Sequence, residues 1–293
     1  MHIKTLLSIS LLGISSIATA NIHVVAAENQ YGNVAELIGG DKVTVTSIIS
    51  NPNADPHQFT TSPSTAIKIN EAQVIIYNGA GYDTWMGQLL NAKSSNNQLA
   101  IIEVADLIGA KEPNTPYGLN PHLWYNPTTF PAVAEKLTTT FSAIEPQNKA
   151  YFEANLAHFN QQYQQVYQLV NNIKAKYSGT PITATEPVYD YMANALGLKT
   201  LGLDYQWVTM NDSEPSPRMM MAYQDLFTQH KVKVLFYNSQ VTDENTDHVK
   251  ILAEKNGIPV VGVSETMPTD KNVITWLLSD LQATQAALAK SQP

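Results

Sequence analysis

One amphipathic segment constrains the fold of this chain more than any other feature. Between Pro146 and Gly179, apolar side chains recur at alternating spacings of three and four residues, which places them on one face of an α-helix. They are Phe152, Leu156, Phe159, Tyr163, Val166, Val170, Ile173 and Tyr177. A helix of roughly 30 residues is about 45 Å long, more than one compact α/β layer needs. The pattern favours a rod lying along two lobes, and a long core helix within one domain is the alternative.

Strand and helix patterns alternate on both sides of this segment. The predicted strands include IHVVAA, KVTVTSII and VIIYN before it, and PITAT, KTLGL, KVKVLFYN and IPVVGV after it. Alternation at this spacing indicates parallel sheets covered by helices. We therefore predict an α/β protein with two lobes, each a mostly parallel sheet flanked by helices, joined by one long helix. The predicted divisions are a signal peptide at 1–20, an N-terminal lobe at 21–144, a linker helix at 145–178 and a C-terminal lobe at 179–293.

The first 20 residues have the pattern of an export signal. Lys4 precedes an apolar run, and Ala18 and Ala20 form a small-x-small cleavage site. No later segment reaches the roughly 18 consecutive apolar residues of a membrane-spanning helix. The chain contains no cysteine, which excludes disulfides, thiolate metal ligands and a lipid-anchored cysteine. We expect export, without a lipid anchor, to the periplasm of a two-membrane bacterium.

The charge of the chain narrows the classes of partner. Without the signal, 25 acidic and 16 basic residues remain, a net charge of −9. This charge argues against binding to nucleic acid or to anionic membrane surfaces, and it is compatible with a cationic ligand.

Four potential metal ligands follow predicted strands. Glu186 comes directly after ITAT, and Glu265 follows IPVVGV by one residue. His57 and His122 each follow a proline in loops after strands. Ligands of parallel α/β sheets bind beyond the carboxyl ends of the strands, and proline stiffens the backbone that presents each histidine. A single histidine in such a loop is more often structural, but together with two strand-end carboxylates the pattern favours a metal site.

Several ordered motifs resemble one known family. They are DPHQFTTSPS, VIIYNGAGYDTWM, NPHLWYNP, EPSP and VVGVSETMP, and together they extend over essentially the whole mature chain. They are similar to motifs of the metal-binding solute-binding proteins of bacterial ABC transporters for manganese and zinc, the cluster with a rigid helix between its lobes.

The resemblance implies a ligand set of His57, His122, Glu186 and Glu265. Many zinc-binding members have histidine at the third position, whereas Glu186 matches manganese-binding members. The family usually has aspartate at the fourth position, where this chain has Glu265. Carboxylates suit manganese and imidazoles suit zinc, although intrinsic affinity favours zinc at almost any such site. We expect one divalent ion as transported ligand, with Mn²⁺ ahead of Zn²⁺ and Fe²⁺ third.

The resemblance also implies capture without catalysis. A monomer would bind the ion between its lobes and deliver it to a membrane permease with its ATPase. Asp55, Asn78, Asn120 and Asn238 are candidates to orient the histidines by hydrogen bonds.

Two other functions are compatible with parts of the sequence. A periplasmic metal-dependent hydrolase could use the same ligands to activate water, but it needs an open coordination position and a nearby general base, which the sequence does not show. A pair of lobes could instead bind a larger solute such as a chelate. The single arginine, Arg218, makes an anionic chelate an unfavourable ligand.

Overall fold

A computed structural model describes residues 21–52, 56, 59–92, 99–111 and 116–291. The predicted signal peptide and the residues Asp55 and His57 lie outside these ranges. Every helix within the described ranges is too short or too polar to span a bilayer.

The N-terminal sheet is parallel throughout. Its strands are β1 (Ile22–Glu28), β2 (Val43–Ile49), β3 (Val74–Tyr77) and β4 (Ala100–Glu103), in the order β2-β1-β3-β4. The accompanying helices are α1 (Asn29–Gly39), α2 (Pro63–Glu71), α3 (Thr84–Ala92), α4 (Val104–Leu107) and α5 (Thr129–Ile144). Together these elements form the N-terminal lobe.

The long helix predicted from the apolar stripe is present. A 3-10 turn at Pro146–Asn148 leads into α6 (Lys149–Tyr177), and Gly179 follows the helix with a positive φ of 82°. Every residue of the predicted stripe is buried except Leu156, which is half-buried and packs against the same core. Burial of this one face is what the three-and-four spacing requires.

The C-terminal sheet repeats the topology of the first. Its strands are β5 (Pro181–Ala184), β6 (Lys199–Thr200), β7 (Leu235–Asn238) and β8 (Val260–Val263), in the parallel order β6-β5-β7-β8. The helices of this lobe are α7 (Asp190–Ala195), α8 (Leu203–Met210), α9 (Pro217–Thr228), α10 (Glu244–Lys255) and α11 (Val273–Lys290). The predicted fold class, two lobes of parallel sheet and helices joined by one long helix, is confirmed.

The segment KTLGL differs from its predicted strand. Only Lys199–Thr200 pairs in the sheet, and α8 begins at Leu203. Gly202 adopts φ +74°, which ends the extended backbone and places the first turn of α8. Tyr205 of α8 then stacks on Tyr223 of α9 with ring centroids 3.7 Å apart. Long-range packing therefore decided the conformation of this segment.

A continuous hydrophobic core runs through both lobes. It includes Ile76 of β3, Tyr163 of α6 and Phe236 of β7. Helix α6 packs against α1 and α5 of the N-terminal lobe and against α11 of the C-terminal lobe. The two lobes therefore share one packed interior, and the carboxyl ends of both sheets face the region between them.

Candidate metal centre

His122 and Glu265 meet between the lobes. His122 lies in the loop before α5, and Glu265 lies two residues after β8. Nε2 of His122 is 3.7 Å from Oε2 of Glu265, and both side chains are fully buried. Among the described residues, Nε2 has no hydrogen-bond partner. Two bonds of about 2.1 Å to one ion would span such a gap at an angle of about 120°, so this separation is compatible with the predicted ligation of a common ion.

Asn238 holds the two predicted carboxylate ligands next to each other. Its Nδ2 donates to Oε2 of Glu186 at 2.9 Å and to Oε1 of Glu265 at 2.6 Å. Asn238 ends β7, whereas the glutamates follow β5 and β8, the neighbours of β7 in the sheet. The sheet order thus brings together two side chains that are far apart in sequence.

Asn120 orients the imidazole of His122. Its Oδ1 accepts from the backbone N–H of His122 at 3.0 Å and lies 2.8 Å from Nδ1. Because Oδ1 is the acceptor for the backbone, it is also the acceptor for Nδ1, which therefore carries the ring hydrogen. The lone pair is then on Nε2, toward Glu265. Asn120 Nδ2 also donates to the carbonyl oxygen of Pro187 at 2.8 Å, which connects this loop to the residue after Glu186.

Asn78 supports the loop of His122 without touching the ring in any contact that the structure describes. Its Nδ2 donates to Pro121 O at 2.8 Å, and its Oδ1 accepts from the hydroxyl of Tyr31 at 2.5 Å. Asn78 directly follows β3, and Asn238 is the last residue of β7. Because β3 and β7 are each third in the order of their sheets, the two asparagines occupy equivalent positions. Of the three asparagines predicted to orient the histidines, only Asn120 contacts a histidine ring in the described structure, whereas Asn238 contacts the two carboxylates and Asn78 the loop of His122.

The sequence did not predict that Tyr82 reaches across the lobes. Its hydroxyl donates to Oε2 of Glu265 at 2.8 Å. Burial, and then the charge of Glu265, raise the pKa of Tyr82 well above its ordinary value, so the phenol keeps its hydrogen. A donor from the N-terminal lobe therefore fixes a candidate ligand from the C-terminal lobe.

The segment around Glu265 is bound to the N-terminal lobe by its main chain as well. Asn29 donates to Met267 O at 2.7 Å and accepts from Met267 N at 3.0 Å. Gln30 Nε2 donates to Glu265 O at 3.2 Å, and the hydroxyl of Tyr125 accepts from Ser264 N at 3.3 Å. The only signal for this in the sequence is the polar trio ENQ that follows the buried residues of β1.

The described residues do not complete a metal site by themselves. Within the described ranges, no group of three or more His, Cys, Asp or Glu side chains is arranged to hold a metal ion. The amide of Asn238 lies between the carboxylates of Glu186 and Glu265, and His57 lies outside the described residues. The structure brings His122, Glu186 and Glu265 to one place, and ligation by all four residues stays a prediction.

Comparisons with known proteins give the family. The family described as zinc-uptake complex component A, periplasmic, matches residues 24–287. The manganese ABC transporter substrate-binding lipoprotein PsaA of Streptococcus mitis is 28% identical over 251 residues, which cover 82% of this chain and 78% of that protein. The manganese-binding lipoprotein MntA of Bacillus subtilis is 27% identical over 248 residues, with the same two coverages of 82% and 78%.

Solved structures show the same fold. The periplasmic zinc-binding protein TroA of Treponema pallidum has a TM-score of 0.77 at 17% identity, covering 92% of this chain and 99% of that one. A manganese-bound mutant of the periplasmic metal-binding protein of Candidatus Liberibacter asiaticus has a TM-score of 0.75 at 23% identity, covering 91% and 99%. The resemblance inferred from the motifs is confirmed, because the family match extends over most of the sequence: this chain belongs to the family of zinc-uptake complex component A.

Proposed function

We propose that this protein captures a divalent transition-metal ion between its lobes and delivers it to the permease of an ABC importer. The observation that carries the proposal is the buried Nε2 of His122, which faces the carboxylate of Glu265 at 3.7 Å. A lone pair and a carboxylate at this separation, shielded from water, favour a cation. The family description and the names of the relatives support the same function.

The proposed ligands are His57, His122, Glu186 and Glu265. Two neutral imidazoles and two carboxylates would offset the charge of a divalent ion, which makes burial of the acids tolerable. Carboxylates can bind in a bidentate manner and raise the coordination number, which suits Mn²⁺ better than Zn²⁺. We therefore place Mn²⁺ ahead of Zn²⁺, and Fe²⁺ behind both, as the transported ion.

An acidic cavity beside the centre supports capture of a cation. It has a volume of about 440 Å³ and extends from Glu186 to Asp212, Glu214 and Asp243. The four carboxylates in its lining create a negative potential, which raises the local concentration of cations.

Binding without turnover is the better interpretation of the surroundings of the candidate ligands. The amides of Asn120 and Asn238 and the protonated phenol of Tyr82 form hydrogen bonds with the side chains of the candidate ligands. None of these described neighbours is a general base, which the hydrolase alternative would need. The family supports a transport role and lends no support to a hydrolase.

We further propose that the protein acts as a monomer in the periplasm, with a membrane permease and its ATPase as partners. The pattern of residues 1–20 supports export. PsaA and MntA are described as lipoproteins, whereas this sequence contains no cysteine. We assign residues 21–144 and 179–293 to two lobes on either side of a linker helix at 145–178. Because α6 and the core are common to both lobes, we expect only a small movement between them.

Metal analysis of protein purified under native conditions tests the proposal. We expect about one Mn²⁺ or Zn²⁺ per chain, a thermal shift of the apo protein with either ion, and competition between the two ions. The variant His122→Ala should lose binding, and His158→Ala, on the exposed face of α6, is the matched control. Apo protein whose unfolding temperature responds to neither ion would overturn the proposal.

The pH dependence of binding gives a second test. An imidazole must be neutral to bind a metal, so affinity should fall from about pH 7.5 to about pH 5. Unchanged affinity over this range would count against His57 and His122 as ligands.

A further inference from the structure

A second pair of carboxyl groups is buried in the N-terminal lobe, away from the proposed ligands. Glu28, at the end of β1, is 1% exposed, and Asp83, after β3, is 2% exposed. Asp83 accepts hydrogen bonds from the backbone N–H groups of Asn78 at 2.6 Å and Gly79 at 2.9 Å. No N–H or O–H group of the described residues donates to either oxygen of Glu28 in hydrogen-bonding geometry. The two acids therefore have opposite surroundings.

These surroundings assign different protonation states to the two acids. An ionised carboxylate that is buried without donors is costly, so Glu28 is more stable as the neutral acid. Burial, then the charge of Asp83 and the hydrogen bond with its carboxyl, raise the pKa of Glu28 well above its ordinary value, against a smaller lowering by the backbone N–H groups of Glu28 and Asn78. Burial also raises the pKa of Asp83, to about 6, against the lowering effect of its backbone donors and of Glu28. Asp83 is therefore mostly ionised at neutral pH.

The other titratable groups that face this pair are phenols. Tyr31 and Tyr82 are both influenced by the charges of Glu28 and Asp83, and Tyr77 by that of Asp83. Burial is the largest cause that raises the pKa of each of these tyrosines, so all three are neutral. No lysine or arginine within the described ranges is among the main influences on the pKa of either acid. A proton, rather than a basic side chain, therefore balances one of the two charges.

We propose that Glu28 carries a proton and donates it in a hydrogen bond to the carboxylate of Asp83, and that this acid pair positions Tyr82 and the loop of His122. The proton remains on an oxygen of Glu28, and the acceptor is an oxygen of Asp83. The pair stands on geometry, because β1 runs parallel to β3 with Ala26 beside Ile76, and this register continues to Glu28 and to Asn78, whose N–H donates to Asp83. Its effect on the metal rests on the function proposed above.

The turn after β3 connects the acid pair to the metal centre. Three successive residues have positive φ angles, 72° at Gly79, 53° at Ala80 and 79° at Gly81. Such a backbone is strained at the alanine and needs fixed partners. The carboxylate of Asp83 supplies them by binding the N–H groups at the start of the turn. The next side chain, Tyr82, then donates to Glu265 at 2.8 Å.

The same turn supports the histidine side of the centre. Asn78, whose N–H is held by Asp83, donates from its side chain to Pro121 O, next to His122. If Glu28 lost its proton, two adjacent carboxylates would repel each other in a site of low dielectric. The turn would loosen, and both Tyr82 and the histidine loop would lose their support.

Isosteric and truncating variants of Glu28 test the positioning role. Glu28→Gln keeps the size of the side chain and a neutral donor toward Asp83, so we expect Mn²⁺ affinity within about threefold of the wild type. Glu28→Ala removes the donor, and we expect affinity to fall by about tenfold or more, the usual effect of losing a support of a metal ligand. If Glu28 acts as a neutral donor, Glu28→Gln must keep near-normal Mn²⁺ affinity. Equal losses of Mn²⁺ affinity in Glu28→Gln and Glu28→Ala would overturn the proposal.

Infrared spectroscopy tests the proton without any metal. Apo wild-type protein at about pH 8.5, where Asp280 with its pKa of about 7 is ionised, should show the carbonyl stretch of a protonated carboxylic acid, and this band should lose the intensity of one carboxyl group in Glu28→Gln. The matched control is Glu71→Gln, at an exposed glutamate of the same lobe, which should keep the band. A spectrum unchanged in Glu28→Gln would overturn the proposal even if the metal binds as expected. If Glu28→Gln loses the band but the wild-type protein binds no metal, the acid pair is supported and the proposed function is contradicted.

Discussion

Substitution of Asn120 should separate metal affinity from stability. Its Oδ1 orients the ring of His122 at Nδ1, and its Nδ2 donates to Pro187 O at 2.8 Å. The side chain is 8% exposed, so water replaces neither contact readily. Asn120→Ala removes both contacts. Asn120→Asp keeps an acceptor toward His122 but removes the donor to Pro187.

The expected magnitudes follow from these two contacts. Loss of a hydrogen bond that orients a metal-binding histidine costs about 10-fold to 100-fold in affinity, or about 1.4 to 2.7 kcal/mol. Loss of the buried hydrogen bond to Pro187 O, which still accepts from the N–H of Asp190, costs about 0.5 to 1.5 kcal/mol of the free energy of unfolding. Asn120→Ala should therefore lose both affinity and stability. Asn120→Asp should lose a similar amount of stability and keep affinity within about threefold.

Chelator competition with Mn²⁺ and urea unfolding of the apo protein measure the two quantities. Asn126→Ala is the matched control, because Asn126 lies four residues beyond His122 and its Oδ1 accepts from Thr128 instead. We expect wild-type affinity in this control. If Asn120→Ala binds Mn²⁺ as tightly as the wild type while losing stability, Asn120 does not orient the ligand and the reasoning is refuted.

Three further substitutions test the packing and electrostatics around the centre. Tyr163→Phe should raise the free energy of unfolding by up to about 1 to 2 kcal/mol in calorimetry, since the buried hydroxyl has no partner among the described residues; a destabilised variant would contradict this. Asn29→Ala removes both hydrogen bonds to Met267 and should lower stability by about 2 kcal/mol in urea unfolding and weaken Mn²⁺ binding, whereas unchanged affinity would show that the contact does not position Glu265. Burial raises the pKa of Asp280 to about 7, above its unfolded value of about 3.9, so wild-type stability should fall as pH rises from about 4 to about 7. Asp280→Asn should remove about 1 to 2 kcal/mol of that fall, less than the full shift because the side chain is partly exposed; identical pH profiles would refute the assignment.

The sequence by itself determined the elements and the places of the candidate ligands. The stripe of α6 follows from a local period, because each residue of a helix is fixed relative to those three and four positions away. Strand ends are also local features, and parallel sheets bring the carboxyl ends of their strands to one edge. The positions of His122, Glu186 and Glu265 between the lobes could therefore be predicted before any contact was known.

The tertiary structure alone decided which groups hold those ligands and which acids carry protons. Tyr82 and Glu265 are 183 residues apart, and Asn29 and Met267 are 238 residues apart. No local period predicts such pairs, because they depend on how two separately folded sheets face each other. The protonation of Glu28 likewise depends on burial and on its distance from Asp83, since removal from water, rather than residue type, shifts the pKa of a carboxyl group.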